Sequence, residues 1–196
     1  MLSWLKRGRQ RRQVARSLYG SSVTAARAAL FYAEWGVPDT LAGRFEMVAL
    51  HVALLLNRLS STSTPERQLR VTLTETFVTD MDDSMRELTF GDLAVPREIK
   101  RATAALFDRH AAYLAALAGS SDMSLGDALK AQLAYLGGGP LNSCRLSDYV
   151  QRCAGALDAQ PTAQILAGRV EWPDPTASPT AMNPQSHEPT GMNPQA

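Results

Sequence analysis

Cysteine is scarce in this sequence. Only Cys144 and Cys153 occur among its 196 residues, and a helix that carried both would hold them about 13 Å apart, too far for a disulfide. Without a CxxC motif or a larger set of cysteines, the chain is typical of a reducing compartment. We expect both cysteines to be small, buried apolar side chains.

Long apolar stretches are missing as well. The longest, residues 47–56, contains His51 and is much shorter than the roughly 20 residues that a bilayer-spanning helix needs. The N-terminus lacks the apolar core of a secretory signal, because basic residues interrupt it from Lys6 onward. The sequence therefore predicts a protein without a transmembrane helix.

The sequence patterns of common enzyme classes are also absent. The chain has no Gly-rich phosphate loop, no GxSxG, no HExxH and no convincing pairing of cysteine with histidine. We therefore predict a non-enzymatic protein that has no catalytic residue, no cofactor and no bound metal.

Acidic residues are absent from the first 33 positions, which contain seven basic ones. The remainder carries 13 basic and 19 acidic residues, so the chain is polarised although its net charge is only +1. We predict that residues 1–18 form a basic amphipathic segment that contacts anionic lipid or RNA phosphates. Its surface residues would be Trp4, Lys6, Arg7, Arg9, Arg11, Arg12 and Arg16. A cleaved mitochondrial transit peptide has a similar composition and is the alternative.

Helical periodicity covers most of the remaining chain. Apolar residues recur at helical spacing in predicted helices near residues 10–34, 40–59, 64–88, 96–117, 122–136 and 146–157, with a short one in 161–168. No segment alternates as a strand would. The predicted fold is all-α, a compact single-domain bundle of about six to seven helices over residues 19–175. Prolines punctuate the polar residues beyond Asp174, so residues 176–196 are predicted to be a disordered tail.

The second predicted helix has an unusual polar pattern. Arg44, His51 and Arg58 lie within about 40° of one another on a helical wheel, and Glu46 and Asn57 lie on the opposite side. Two narrow polar stripes between apolar faces indicate a helix in the middle of a bundle. His51 fits a packed, hydrogen-bonded histidine, and it also fits a partner-binding surface shared with the two arginines. A metal role is the third reading, although its spacing from Glu46 differs from the Glu-x-x-His pair of di-iron bundles.

The third predicted helix begins at Thr64, whose hydroxyl would cap it. In its second half, Asp80, Asp83 and Glu87 share one flank of the apolar stripe. This acidic row fits a solvated face, a docking patch for a cationic partner, or a divalent metal site. A metal site takes carboxylates from a facing helix as well, and the sequence has no second acidic cluster. We assign the acidic row, together with Arg44, His51 and Arg58, to a partner- or client-binding surface.

Three groups of residues resemble a known family. They are GVPDT, GRFEM and LH at residues 36–40, 43–47 and 50–51; DMD, Leu88 and GDL at 80–82, 88 and 91–93; and LAGRV and WPDP at 166–170 and 172–175. They occur in the family's order and spread over about residues 19–175. Taken together, they are similar to the ubiquinol–cytochrome c chaperone family.

The resemblance implies a helical assembly factor for the cytochrome bc1 complex. Mitochondrial relatives bind newly made cytochrome b near translating ribosomes, with a small helical partner. The implied partners are therefore an unassembled membrane protein, a small helical co-chaperone, the ribosome and an anionic membrane, but no DNA. A bacterial member would lie in the cytoplasm against the inner membrane, and a eukaryotic one at the matrix face.

Two other functions stay open on the sequence. A helical enzyme or binding protein for an isoprenoid or quinone-like lipid would use the acidic third helix and Mg²⁺. A structural subunit would remain with a mature complex, whereas a chaperone leaves before the complex matures.

Overall fold

The computed structural model describes residues 2–88, 104, 108, 111–137 and 139–177, with only the backbone at 2–5 and 85–88. Its helices are α1 (Leu2–Ala26), α2 (Ala29–Ala33), α3 (Leu41–Arg58), α4 (Thr64–Leu88), α5 (Leu125–Leu133), α6 (Ser143–Ala159) and α7 (Thr162–Leu166). A 3₁₀ turn at Ala134–Leu136 follows α5, and residues 111–117 are also helical. The described residues contain no strand, which confirms the all-α prediction. The start of the predicted helix at Pro96 and the predicted tail beyond residue 177 lie outside the described residues.

Helix α3 lies at the centre of the bundle. Eleven of its 18 residues are buried, and it contacts α1, α4 and α6. The helix begins where Thr40 accepts a hydrogen bond from the amide of Gly43. Over the described residues, no helix combines the length and the apolarity that crossing a bilayer requires.

Helices α1 and α4 run parallel and in step. The Arg11 Nε donates to Thr72 Oγ1 at 3.1 Å, and the Tyr19 hydroxyl donates to Asp80 Oδ2 at 2.6 Å. Both hydrogen bonds join residues 61 apart in the sequence, although they lie eight residues, or about 12 Å, apart along each helix. Between them, the buried Leu18 of α1 belongs to the same core as the apolar stripe of α4.

The first predicted helix, residues 10–34, is wrong in its extent. The structure begins α1 at Leu2 and ends it at Ala26 before α2 starts at Ala29. The amides of Arg27 and Ala28 bond to carbonyls three residues back, which tightens the last turn. The Tyr32 hydroxyl then donates to the Ala26 carbonyl at 2.7 Å and holds the break in place.

Two local predictions from the sequence are also corrected. The cap of α4 is Ser63 and not Thr64, because Ser63 Oγ accepts from the Glu66 amide and donates to the Glu66 carboxylate. Both cysteines lie on α6, but only Cys153 is buried, and Cys144 is exposed. Burial raises the pKa of the Cys153 thiol to about 12, which keeps it protonated.

Two glycines, one before α3 and one in its first turn, allow another backbone segment to pass close by. Gly36 adopts a φ of +79°, and a Cβ there would lie 2.3 Å from the Pro140 carbonyl oxygen. A Cβ on Gly43 would lie 2.0 Å from the Pro38 carbonyl oxygen. Both positions therefore need glycine because backbone passes where a side chain would begin.

We expect Gly43→Ala to lower the free energy of unfolding by about 2 kcal/mol or more, because the backbone at Pro38 must move. Gly155→Ala in α6 is the matched control, since nothing lies within 4 Å of a Cβ there. Chemical denaturation of both variants measures the difference. Equal stabilities would contradict the close approach at Gly43.

Candidate functional site

The polar face predicted for α3 is divided between the core and the surface. His51 is 0% exposed, Arg58 is partly buried, and Arg44 is exposed and bonds to Asp39 Oδ1 at 2.6 Å. This bond holds the pKa of the Asp39 carboxyl below its usual range. Of the three, only Arg44 has an exposed side chain, while His51 and Arg58 bond to other helices of the fold.

His51 joins three parts of the chain. Its Nδ1 lies 2.7 Å from the Met47 carbonyl oxygen, and its Nε2 lies 2.8 Å from the Tyr149 hydroxyl. Because a carbonyl can only accept, Nδ1 carries the proton and Nε2 accepts from Tyr149. Burial lowers the pKa of His51 from 6.5 to about 4, so the ring is neutral at physiological pH.

Aromatic side chains surround the His51 ring. The ring centroid of Trp172 lies 4.9 Å away, that of Tyr149 5.7 Å and that of Phe31 6.2 Å. Trp172 also donates from Nε1 to Ser21 Oγ at 3.2 Å. His51 therefore connects α3 to α6 and to the segment after α7, and that segment is in turn bonded to α1.

Arg58 holds the end of α6 against α3. Its guanidinium donates to the carbonyl oxygens of Leu157 and Gln160 and to the hydroxyl of Thr162. These carbonyls lie at the end of α6, where helical partners run out. The Glu66 carboxylate lies 3.9 Å from Arg58 and offsets its partly buried charge.

The third polar side chain of α3 that bonds inside the fold is Glu46. It is buried, and the Tyr135 hydroxyl of the 3₁₀ turn donates to it. His51 and Arg58 of one predicted stripe bond to α6, and Glu46 of the opposite stripe bonds to the 3₁₀ turn. This pattern confirms that α3 lies between neighbours on both sides.

A groove opens between α1, α3 and α4. Its volume is about 450 Å³, and its floor is apolar with charged groups at the rim. We call it the α1–α3–α4 groove; it is lined by Tyr19, Val23, Arg27, Leu41, Ala42, Arg44, Phe45, Val48, Asp80, Met81 and Ser84. Leu41 is 62% exposed at its edge and adds apolar surface to the mouth of the groove.

Tyr19 and Asp80 form one wall of this groove. Burial and the hydrogen bond to Asp80 raise the pKa of Tyr19 well above its usual value, so the phenol remains a donor. The same two residues also border a second hollow of about 600 Å³ along α1 and α4. In that hollow Arg12 and Arg16 of α1 face Glu75 and Asp83 of α4.

The structure brings some predicted site residues together and separates others. Arg44 and Asp80 line one groove, and Asp83 lies in the adjoining hollow with Arg12 and Arg16. The Arg11 guanidinium donates hydrogen bonds to the Thr72 and Gln68 side chains of α4. Lys6, Arg7 and Arg9 are exposed on the first turns of α1. The side chains of Glu87 and Trp4 lie outside the described residues.

Sequence reasoning missed several residues of the groove. Tyr19, Val23 and Arg27 repeat at intervals of four on α1, which is the available signal for a shared face. Leu41, Phe45 and Val48 give the same kind of signal on α3, at i, i+4 and i+7. Among the described residues, no three His, Cys, Asp or Glu side chains converge as a metal site would require.

Comparison with known proteins identifies the family. The family model described as Ubiquinol-cytochrome C chaperone matches residues 33–172. The chain belongs to this family. The fold is also similar to the crystal structure of the Cbp3 homologue from Brucella abortus, with a TM-score of 0.78 and 30% sequence identity. That match covers 89% of this chain and 98% of the other. A search of curated proteins found no match.

The groups of residues that resemble the ubiquinol–cytochrome c chaperone family meet in the fold. Arg44 and Phe45 from the first group and Asp80 and Met81 from the second line the same groove. The third group packs behind it, where Gly168 lies against Val14 and Ser17 of α1 and Trp172 lies against His51. The first two groups of the family pattern therefore line the groove, and the third packs against the helices that carry it.

The depressed pKa of His51 predicts a pH-dependent stability. Below pH 6.5 the unfolded chain binds a proton on His51 that the folded chain takes up only near pH 4. The free energy of unfolding should therefore fall as the pH falls through this window, by about 2–3 kcal/mol at pH 4. Denaturation of the wild type and of His51→Gln across the range isolates this effect from that of the carboxylates. His187→Gln serves as the control, and a wild-type-to-His51→Gln difference that stays constant with pH would contradict the assignment.

Removing the Arg58 guanidinium should leave its hydrogen-bond acceptors without a donor. We expect Arg58→Ala to lower the free energy of unfolding by about 2–4 kcal/mol, because the α6 carbonyls and the Glu66 carboxylate lose their partner. Arg44→Ala on the same helix is the control and should leave stability unchanged, since its ion pair with Asp39 is exposed. Thermal unfolding of both variants decides between a structural Arg58 and one that is dispensable for folding.

Proposed function

We propose that the chain is a non-enzymatic assembly chaperone that holds newly made cytochrome b for the ubiquinol–cytochrome c reductase, next to the membrane. Family membership supports the class of function. The observation that carries the binding site is the α1–α3–α4 groove, an apolar hollow with Leu41 exposed at its edge and charges around it. A small helical co-chaperone and the ribosome are further partners in this proposal.

The shape of the groove suits a helical segment. It extends from Tyr19 of α1 to Arg27, the residue after the end of that helix, about 12 Å or two helical turns. Helix-in-groove recognition places apolar side chains from successive turns of one face into such a hollow. Its volume lies in the range of cavities that bind a few large apolar groups.

The charges around the groove suit a segment from a membrane protein. Asp80 and Asp83 are exposed on α4, and Glu87 continues the same flank in the sequence. Segments of membrane proteins that face the cytoplasm or matrix are rich in lysine and arginine. An apolar helix with a basic flank would bury its apolar face in the groove and place its cations beside this acidic row.

His51 and Arg58 have a different part in this proposal. Both bond inside the fold, so they hold α6 and the Trp172 segment against α3. They therefore keep the floor of the groove in position and do not contact the client. Arg44, Asp80, Asp83 and Glu87 are the residues that we propose to face it.

Replacing the exposed apolar edge of the groove tests the binding site. We expect Leu41→Glu to reduce the recovery of cytochrome b crosslinked to the tagged protein in its own cells by about tenfold, because a charge replaces a buried leucine contact. Val71→Glu is the matched control: Val71 is also a large exposed apolar residue, 54% exposed, but lies outside the groove.

Both variants must retain the helical content and melting temperature of the wild type, since Leu41 is at the start of a helix where an acid is well tolerated. Equal losses in the two variants would contradict the groove as the binding site. Recovery of a different client with the wild type would contradict cytochrome b.

A further inference from the structure

The N-terminal ends of α1 and α4 bring together basic residues from two distant parts of the sequence. Because the helices run parallel with a constant offset of 61 residues, Lys6 lies level with Arg67, and Arg9 lies level with Arg70. We call these turns, with Lys6, Arg7, Arg9, Arg67 and Arg70, the basic end. The sequence assigned only the α1 part of it to a surface.

The cations of the basic end are available to a ligand. Lys6, Arg7, Arg9 and Arg67 are exposed, and Arg70 is partly exposed. The described part of the chain forms no ion pair to any of these five residues. The one acid on α1 or α4 at this level is Glu66, which is buried and bonded to Ser63.

Other charges leave this end with an excess of positive charge on the α1–α4 side. Asp158 is an exposed acid in the last turn of α6, a helix that packs against α3 and not along α1 or α4. The linker between α3 and α4 contributes only uncharged residues, Ser60 to Ser63. The N-termini of two parallel helices add their positive dipole ends to the five cations.

Apolar residues precede these cations in the chain. Leu2, Trp4 and Leu5 occupy the first turn of α1, level with the start of α4 and about 5 Å beyond the cations. Apolar and aromatic residues next to a group of cations are the composition of segments that insert into the interface of an anionic bilayer. Recognition of RNA phosphates would need the cations but not this apolar tip.

We propose that the basic end docks end-on against an anionic lipid bilayer, with Arg67 and Arg70 of α4 sharing the contact with α1. The first turn of α1 enters the headgroup region, and the cations of both helices lie at the level of the lipid phosphates. The contact does not depend on which client occupies the groove. It is peripheral, because only one helical turn enters the lipid.

Vesicle flotation of the full chain tests the contact. We expect binding to phosphatidylcholine vesicles that contain phosphatidylglycerol, and none to phosphatidylcholine alone. Arg67→Gln/Arg70→Gln should weaken the binding roughly thirtyfold, since each cation near an anionic surface contributes about fivefold. Lys130→Gln/Arg145→Gln removes the same charge from exposed positions on α5 and α6, away from the basic end and from the groove, and should bind as the wild type does.

A second measurement separates lipid from RNA. Brominated lipids should quench the fluorescence of the wild type, and this quenching should disappear in Trp4→Phe, because Trp35 is buried and Trp172 lies against His51. The proposal is overturned if the chain does not float with anionic vesicles, or if the two double variants lose binding equally. Quenching that persists in Trp4→Phe, or tighter binding to ribosomal RNA than to vesicles at the same salt, would overturn it as well.

Discussion

The burial of α3 is the constraint on which the rest of the structure depends. A helix with eleven buried residues cannot leave a polar side chain unpaired without a cost of several kcal/mol. His51 therefore bonds to Tyr149, Arg58 to the end of α6, and Glu46 to Tyr135. His51 and Arg58 thus fix α6, and Glu46 fixes the 3₁₀ turn, to the same central helix.

This constraint explains what the sequence could and could not predict. Periodicity located α3, α4 and α6 and their buried stripes, because a repeat within one helix is local information. The partners of His51 and Arg58 lie about 100 residues away in the chain, and no local pattern contains them. The same polar stripe is consistent with a surface helix and with a buried one. A helical wheel alone therefore could not predict that Arg44 is exposed and His51 is buried.

The break between α1 and α2 illustrates the other limit. Nothing in the residues around Arg27 and Ala28 opposes a helix, and the periodicity continues through them. The helix ends there because Tyr32 bonds back to Ala26 and because Phe31 packs into the aromatic cluster with Trp35 and Tyr149. Tertiary contacts override local propensity at this point. The chain turns after α1 has run its length beside α4, and the pairing of these two helices forms one wall of the groove.

The parallel pairing of α1 and α4 also keeps the basic end apart from the acidic row of Asp80 and Asp83. Arg67 and Arg70 lie at one end of α4, and Asp80 and Asp83 follow at least ten residues later, about 15 Å further along. Fields are screened over about 8 Å at physiological salt. An anionic bilayer at the basic end would therefore attract the cations without repelling the acidic row beside the groove. Had α4 run antiparallel to α1, its acids would lie level with Lys6 and Arg9, and the opposite charges of the two groups would offset one another.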